Sequence, residues 1–148
     1  MPRFALLEHT GAPDDPGGRH FDLLVELAVV SPEAASPEAA PAGVAPPRSV
    51  PAACRTWRLL ELPRAGGEAV PALELPPHRL AWLDHVAGEV SGGRGFARRV
   101  DAGRFEPLTL DADELAAATE IVLEVSGAIL AGRLRLRSRG DGWAVRLD

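Results

Sequence analysis

The chain has 148 residues, of which 46% are hydrophobic and 25% charged, values that suit one globular domain with a sizeable core. Its net charge of −5 argues against broad, non-specific binding to nucleic acid, and its single cysteine, Cys54, excludes an intramolecular disulfide or a cysteine zinc site. No apolar stretch approaches the roughly 20 residues of a membrane span, and all 16 basic residues are arginine, a side chain suited to bidentate phosphate contacts.

Met1-Pro2-Arg3 leads straight into an apolar run with no signal-peptide pattern, so the cytoplasm is the expected location and no membrane partner is expected. Residues 3–9 read as a first strand ending at His9, and Thr10 to Gly18 as a turn-rich loop whose Asp14-Asp15 pair is a solvated charge. Residues 19–29 form a second strand. Alternation puts His20 and Asp22 on one of its faces, about 7 Å apart at Cα, and Phe21 and Leu23 on the other. An imidazole and a carboxylate so placed can hold a divalent metal, and His9 joins them if the first two strands pair. By itself one H-x-D is more often a surface histidine and a strand-edge aspartate than a metal site.

Residues 31–51 are almost entirely Pro, Ala, Ser, Glu and Gly, with little to bury, and read as a loop inserted between strands of the domain 1–148. Strand patterning returns at Cys54–Leu60. A further extended run, Val70–Leu75, ends at Pro76-Pro77, whose rings exclude a helix and stiffen the backbone before His78. The glycine-rich stretch Gly88–Gly95 contains Arg94 and can present backbone N–H groups to an anion. Phe96–Val100 and Arg104–Leu108 read as a hairpin turning at Asp101-Ala102-Gly103, and Asp111–Thr119 as a short helix with acids in its first turn. Strands at Ile121–Ser126, Ala128–Arg137 and Gly142–Leu147 complete the chain. Many short strands with frequent turns predict a mainly β fold: a small antiparallel barrel, closed or nearly closed, with one or two short helices.

Several segments taken in order resemble the 3′-phosphoesterase domain of bacterial DNA ligase D and its stand-alone relatives. They are Glu8-His9, His20-Phe21-Asp22-Leu23-Leu24-Val25-Glu26, Thr56-Trp57-Arg58-Leu59, Leu73 to Trp82, Gly88 to Gly95, and Gly132 to Leu136 with Gly142-Trp143. The resemblance implies a metal held by His9, His20 and Asp22, manganese first and zinc second, with His78 meeting the scissile phosphate. It implies an enzyme that trims 3′-terminal ribonucleotides or 3′-phosphates from DNA ends, working beside a separate ligase or polymerase chain. Two arginines of the family pattern are replaced here, by Leu24 and, without gaps, by Val70. Arg94 is the expected compensating phosphate contact, ahead of Arg19 and Arg79. His85 matches no family ligand and reads as a partly buried histidine, and Trp57, Trp82 and Trp143 read as packing. The departures also support a second reading, a non-catalytic module that binds or scaffolds nucleic-acid ends.

Overall fold

The computed structural model describes residues 2–12, 15–27, 53–89, 95–108, 115 and 117–148. Its strands are β1 (Arg3–Ala12), β2 (Asp15–Glu26), β3 (Ala53–Leu59), β4 (Val70–Arg79), β5 (Ala87–Glu89), β6 (Phe96–Pro107), β7 (Glu120–Ser126), β8 (Ala131–Arg139) and β9 (Gly142–Leu147). They form one antiparallel sheet in the order β1-β2-β3-β4-β9-β8-β7-β6-β5, and the further pairing of β1 with β6 closes eight of the nine strands into a barrel. A 3₁₀ turn, Leu80–Asp84, leads from β4 towards β5. No helix among the described residues is long and apolar enough to cross a membrane.

The barrel follows from two-residue alternation. On β7, Ile121, Leu123 and Val125 are buried while Glu120, Glu124 and Ser126 face solvent; on β8, Leu134 and Leu136 are buried between exposed arginines. Leu130, in the turn before β8, is also buried. The interior joins Phe4 and Leu6 of β1, Leu23 of β2, Trp57 of β3 and Phe105 of β6. Arg55 is also buried. Its guanidinium stacks 4.9 Å from the Trp57 ring and 5.0 Å from the Trp143 ring. It donates to Glu74 at 2.6 Å and to the carbonyls of Leu115 and Ala118 at 2.9 and 2.7 Å, so every face of this buried cation is matched.

Three local expectations are corrected. The loop at 10–18 is largely strand: the β1–β2 ladder continues through Thr10↔Arg19 to Ala12↔Asp15, with a bulge at Gly11, whose φ of 69° suits glycine. Pro76-Pro77 does not end β4, which runs on to Arg79. Beyond Ala72 β4 no longer pairs with β9, so the missing proline N–H groups take nothing from that ladder. Asp101-Ala102-Gly103 is not a hairpin turn but the middle of the continuous strand β6, beside a register shift opposite Leu6 and Leu7.

The turn-like composition of that stretch has another cause. Asp101 is buried and accepts backbone N–H bonds from Ala102, Ala128, Ile129 and Leu130 at 2.7–3.0 Å, tying β6 to the turn between β7 and β8. That is why β8 begins at Ala131 rather than Ala128. Gly127 lies against this carboxylate, and a Cβ there would collide with it. Most of the helix expected at Asp111–Thr119, the inserted loop at 31–51, Asp14 and Arg94 lie outside the described residues; Leu115 is helical and buried.

Candidate metal centre

The outer face of the barrel carries a second, smaller apolar cluster. Ala5 and Leu7 of β1, Leu24 of β2 and Cys54 of β3 are buried there beneath Leu83 of the 3₁₀ turn, with Leu80 and Trp82 packed alongside. Alternation along β1 and β2 places His9, His20 and Asp22 on this same outward face. The ladder sets His9 opposite His20 and Leu7 opposite Asp22. The turn is pinned by Arg3 Nη1 donating to Asp84 at 2.9 Å and by Arg99 Nη1 donating to the Leu83 carbonyl at 3.0 Å.

The three expected ligands converge. His9 Nδ1 and His20 Nε2 are 2.9 Å apart. Asp22 Oδ2 lies 3.9 Å from His9 Nδ1, and Asp22 Oδ1 lies 3.7 Å from His20 Nε2. One ligand atom from each residue falls within 4.8 Å of the others, the only such group among the described residues. All three are buried, at 9%, 2% and 7% exposure.

Asp22 gives the fit test. Its Oδ1 is buried and makes no hydrogen bond among the described residues. Burial pushes the carboxyl above its ordinary range, opposed in turn by the charges of His20, His78, Arg58 and His9. A buried carboxylate oxygen with no hydrogen-bond donor, beside two imidazole nitrogens, is a donor set that a divalent cation satisfies. The residues present therefore fit a metal with mixed nitrogen and oxygen ligands.

His78 is not part of the group. It sits two strands from β2, opposite Cys54 in the β3–β4 ladder, half-buried, with Nδ1–H donating to the Pro76 carbonyl at 3.1 Å. That bond leaves Nε2 available, and the charge of His78 acts on Asp22. His85 Nε2–H donates to the Ala97 carbonyl at 3.0 Å, and Ala97 is the ladder partner of His9, so His85 is the half-buried, satisfied histidine expected. Trp82 packs between the two, its ring 6.2 Å from His78 and 4.7 Å from His85.

Of the arginines weighed as phosphate contacts, Arg94 lies outside the described residues. Arg19 is exposed, pairs with Glu8 at 3.5 Å and lies over the Phe21 ring, while Arg79 is exposed at the end of β4. The residue the sequence reading missed is Arg58, directly opposite Asp22 in the β2–β3 ladder and close enough for its charge to act on that carboxyl. Its position on the outward face was readable from the buried Trp57 and Leu59 beside it, but its proximity to Asp22 depends on strand register. Leu24 and Val70, where the family pattern has arginines, are both buried: Leu24 in the outer cluster under Leu83, Val70 in the barrel core.

A cleft of about 780 Å³ lies elsewhere, around Phe21, Leu60, Glu61, Arg64, Glu68 and Ile129. It contains none of the histidines, and its charges are mixed. Ligand chemistry rather than cavity size therefore makes the histidine face the candidate site. Comparison of the chain with protein-family models and with curated proteins finds no match in either.

Proposed function

We propose that the protein is a metal-dependent 3′-phosphoesterase acting on DNA ends, including ends that terminate in ribonucleotides. One observation carries the reading: His9, His20 and Asp22 meet on the outer barrel face with a buried Asp22 oxygen left without a hydrogen bond. His9 and His20 would hold the ion through ring nitrogens and Asp22 through its carboxylate, manganese being the first choice and zinc the second. When bound, the ion supplies Lewis acidity towards a phosphoryl oxygen and a water. Arg58, opposite Asp22, is placed to offset phosphate charge, a part assigned in the sequence to Arg94. When protonated, His78 keeps one N–H on the Pro76 carbonyl and has Nε2–H to donate to an oxygen of the phosphoester. The cytoplasm and a separate ligase or polymerase chain belong to the same reading.

A second reading has its own support. Leu24 is fully buried in the outer cluster, so no arginine reaches the substrate from that position. The protein would then be a binding or scaffold module for nucleic-acid ends. Metal analysis of the purified protein, followed by incubation with a labelled primer–template bearing a 3′-ribonucleotide or 3′-phosphate in the presence of manganese, separates the two. Shortening or dephosphorylation of the primer supports the enzyme. Bound metal with intact primer leaves the scaffold.

A further inference from the structure

On the side of the barrel away from the histidines, β8 presents Arg133, Arg135, Arg137 and Arg139 along its exposed edge of side chains. Alternate strand residues are about 6.8 Å apart, so the row is regular. β8 lies four strands from β2 in either direction around the closed sheet, so this face is opposite the metal centre. Arg135 is also paired directly across the ladder with Arg146 of β9, a like-charged contact that costs stability. Asp148 offsets it, at 2.6 Å from Arg135 and 3.3 Å from Arg146.

The far end of the row is different. Arg137 faces Ala144 and Arg139 faces Gly142, so small residues leave the surface open beside them. Arg135, Arg137, Arg139 and Arg146 line a groove of about 240 Å³ with Glu120 as its one carboxylate, while Val122 and Ala144 supply apolar lining. Neither Arg137 nor Arg139 has an ion pair among the described residues, although Glu120 is the ladder neighbour of Arg137 on β7.

We propose that this groove is a second nucleic-acid contact that holds the phosphodiester backbone of a single strand independently of the metal centre. Four arginines against one carboxylate in the lining select a polyanion, although the chain as a whole carries a net charge of −5. Planar guanidinium forks match phosphate oxygens bidentately. A strand-long row repeated every second residue suits an extended backbone, whereas a free anion would use one or two of its members.

The test is fluorescence anisotropy with a labelled oligothymidylate of about 20 nucleotides in chelator, so that the histidine face contributes no metal contact. The parent is expected to bind with an affinity that falls between about 50 mM and about 200 mM salt. Arg137→Glu/Arg139→Glu should weaken binding about tenfold or more at the lower salt, with a log–log salt slope shallower by about 1.4, two single-strand phosphate contacts. Arg64→Glu, an exposed arginine on another part of the surface, should bind as the parent does. If charge reversal unfolds the protein, Arg137→Gln/Arg139→Gln tests the same contacts. Absence of binding by the parent, unchanged binding by either folded double variant, or equal competition by polyglutamate of the same length would overturn the proposal, the last by pointing to an acidic protein.

Discussion

Asp22 and Arg58 stand directly opposite one another in the β2–β3 ladder, on the outer face of the barrel. The carboxyl is raised by burial, and the guanidinium across the ladder works against that rise together with the nearby histidines. A carboxylate kept out of water beside two imidazole nitrogens is costly in the metal-free protein, and a bound divalent cation would offset that cost.

The first prediction follows from the sign of that shift. Because the folded Asp22 binds a proton more readily than the unfolded one, its contribution to stability is present below the ordinary value of 3.8 and is lost as pH rises through the folded value. Asp22→Asn removes the charge without changing the shape. In chelator, the variant should be more stable than the parent at neutral pH, and the advantage should shrink as pH falls towards the unfolded carboxyl range. Denaturant titrations of both proteins across that range check it. With manganese added, the order should reverse, because only the parent gains binding energy from the cation.

The metal centre itself makes the second prediction. His20 is the most buried of the three ligands, 2.9 Å from His9 and 3.7 Å from Asp22. His20→Ala should weaken manganese and zinc binding in calorimetry by at least about tenfold in affinity. Binding by the parent should release protons and weaken in acid, since metal requires neutral imidazoles. Undiminished affinity in His20→Ala would remove the assignment.

Much of this site was legible before the fold. The H-x-D alternation in β2 required only strand periodicity, and His9 required only that two neighbouring apolar runs pair. What was not legible depended on register or on composition with two meanings. Arg58 reaches Asp22 because β3 pairs with β2 in one particular register. The Asp-Ala-Gly triplet at 101–103 has the composition of a turn, yet Asp101 serves as a buried acceptor for a turn almost 30 residues later. Pro76-Pro77 carries a strand-ending signal that is silenced where β4 becomes an edge.

The third prediction tests that buried acceptor. Asp101→Ala orphans the buried N–H of Leu130 together with those of Ala128 and Ile129. The loss should destabilise the protein by about 2–4 kcal/mol. Chemical denaturation measures it, and a change below about 0.5 kcal/mol would show that the turn is held by other contacts.

Leu24 supports a fourth. Introducing the arginine of the family pattern at this position would seem to restore a phosphate clamp, but the side chain is fully buried against Leu7 and Leu83. Leu24→Arg must either bury a guanidinium or lift the 3₁₀ turn. The expected result is a loss of about 3 kcal/mol or more with no gain in phosphoesterase rate. A stable variant with higher activity would mean that the outer cluster yields easily and that Leu24 is a lesion rather than a packing residue.

The last prediction separates the roles of His78 and Arg58 near the ligands. His78 is fixed by its bond to Pro76, so ordering it for a substrate costs little, and Arg58 is held by its place opposite Asp22. Neither belongs to the ligand group, so His78→Ala and Arg58→Gln should both retain bound manganese. Removing a preorganised donor to the reacting phosphate typically costs about 10²–10³ in rate. His78→Ala should show that loss mainly in kcat, because a proton delivered to the departing oxygen matters in the transition state. Arg58→Gln should raise KM more than it lowers kcat, because a phosphate clamp acts on bound substrate as well. The two measurements are made on the same 3′-phosphate primer, with metal content determined for each variant. Full activity in His78→Ala would take that residue out of the chemistry. Loss of manganese from Arg58→Gln would assign Arg58 to holding Asp22 in place instead of the substrate.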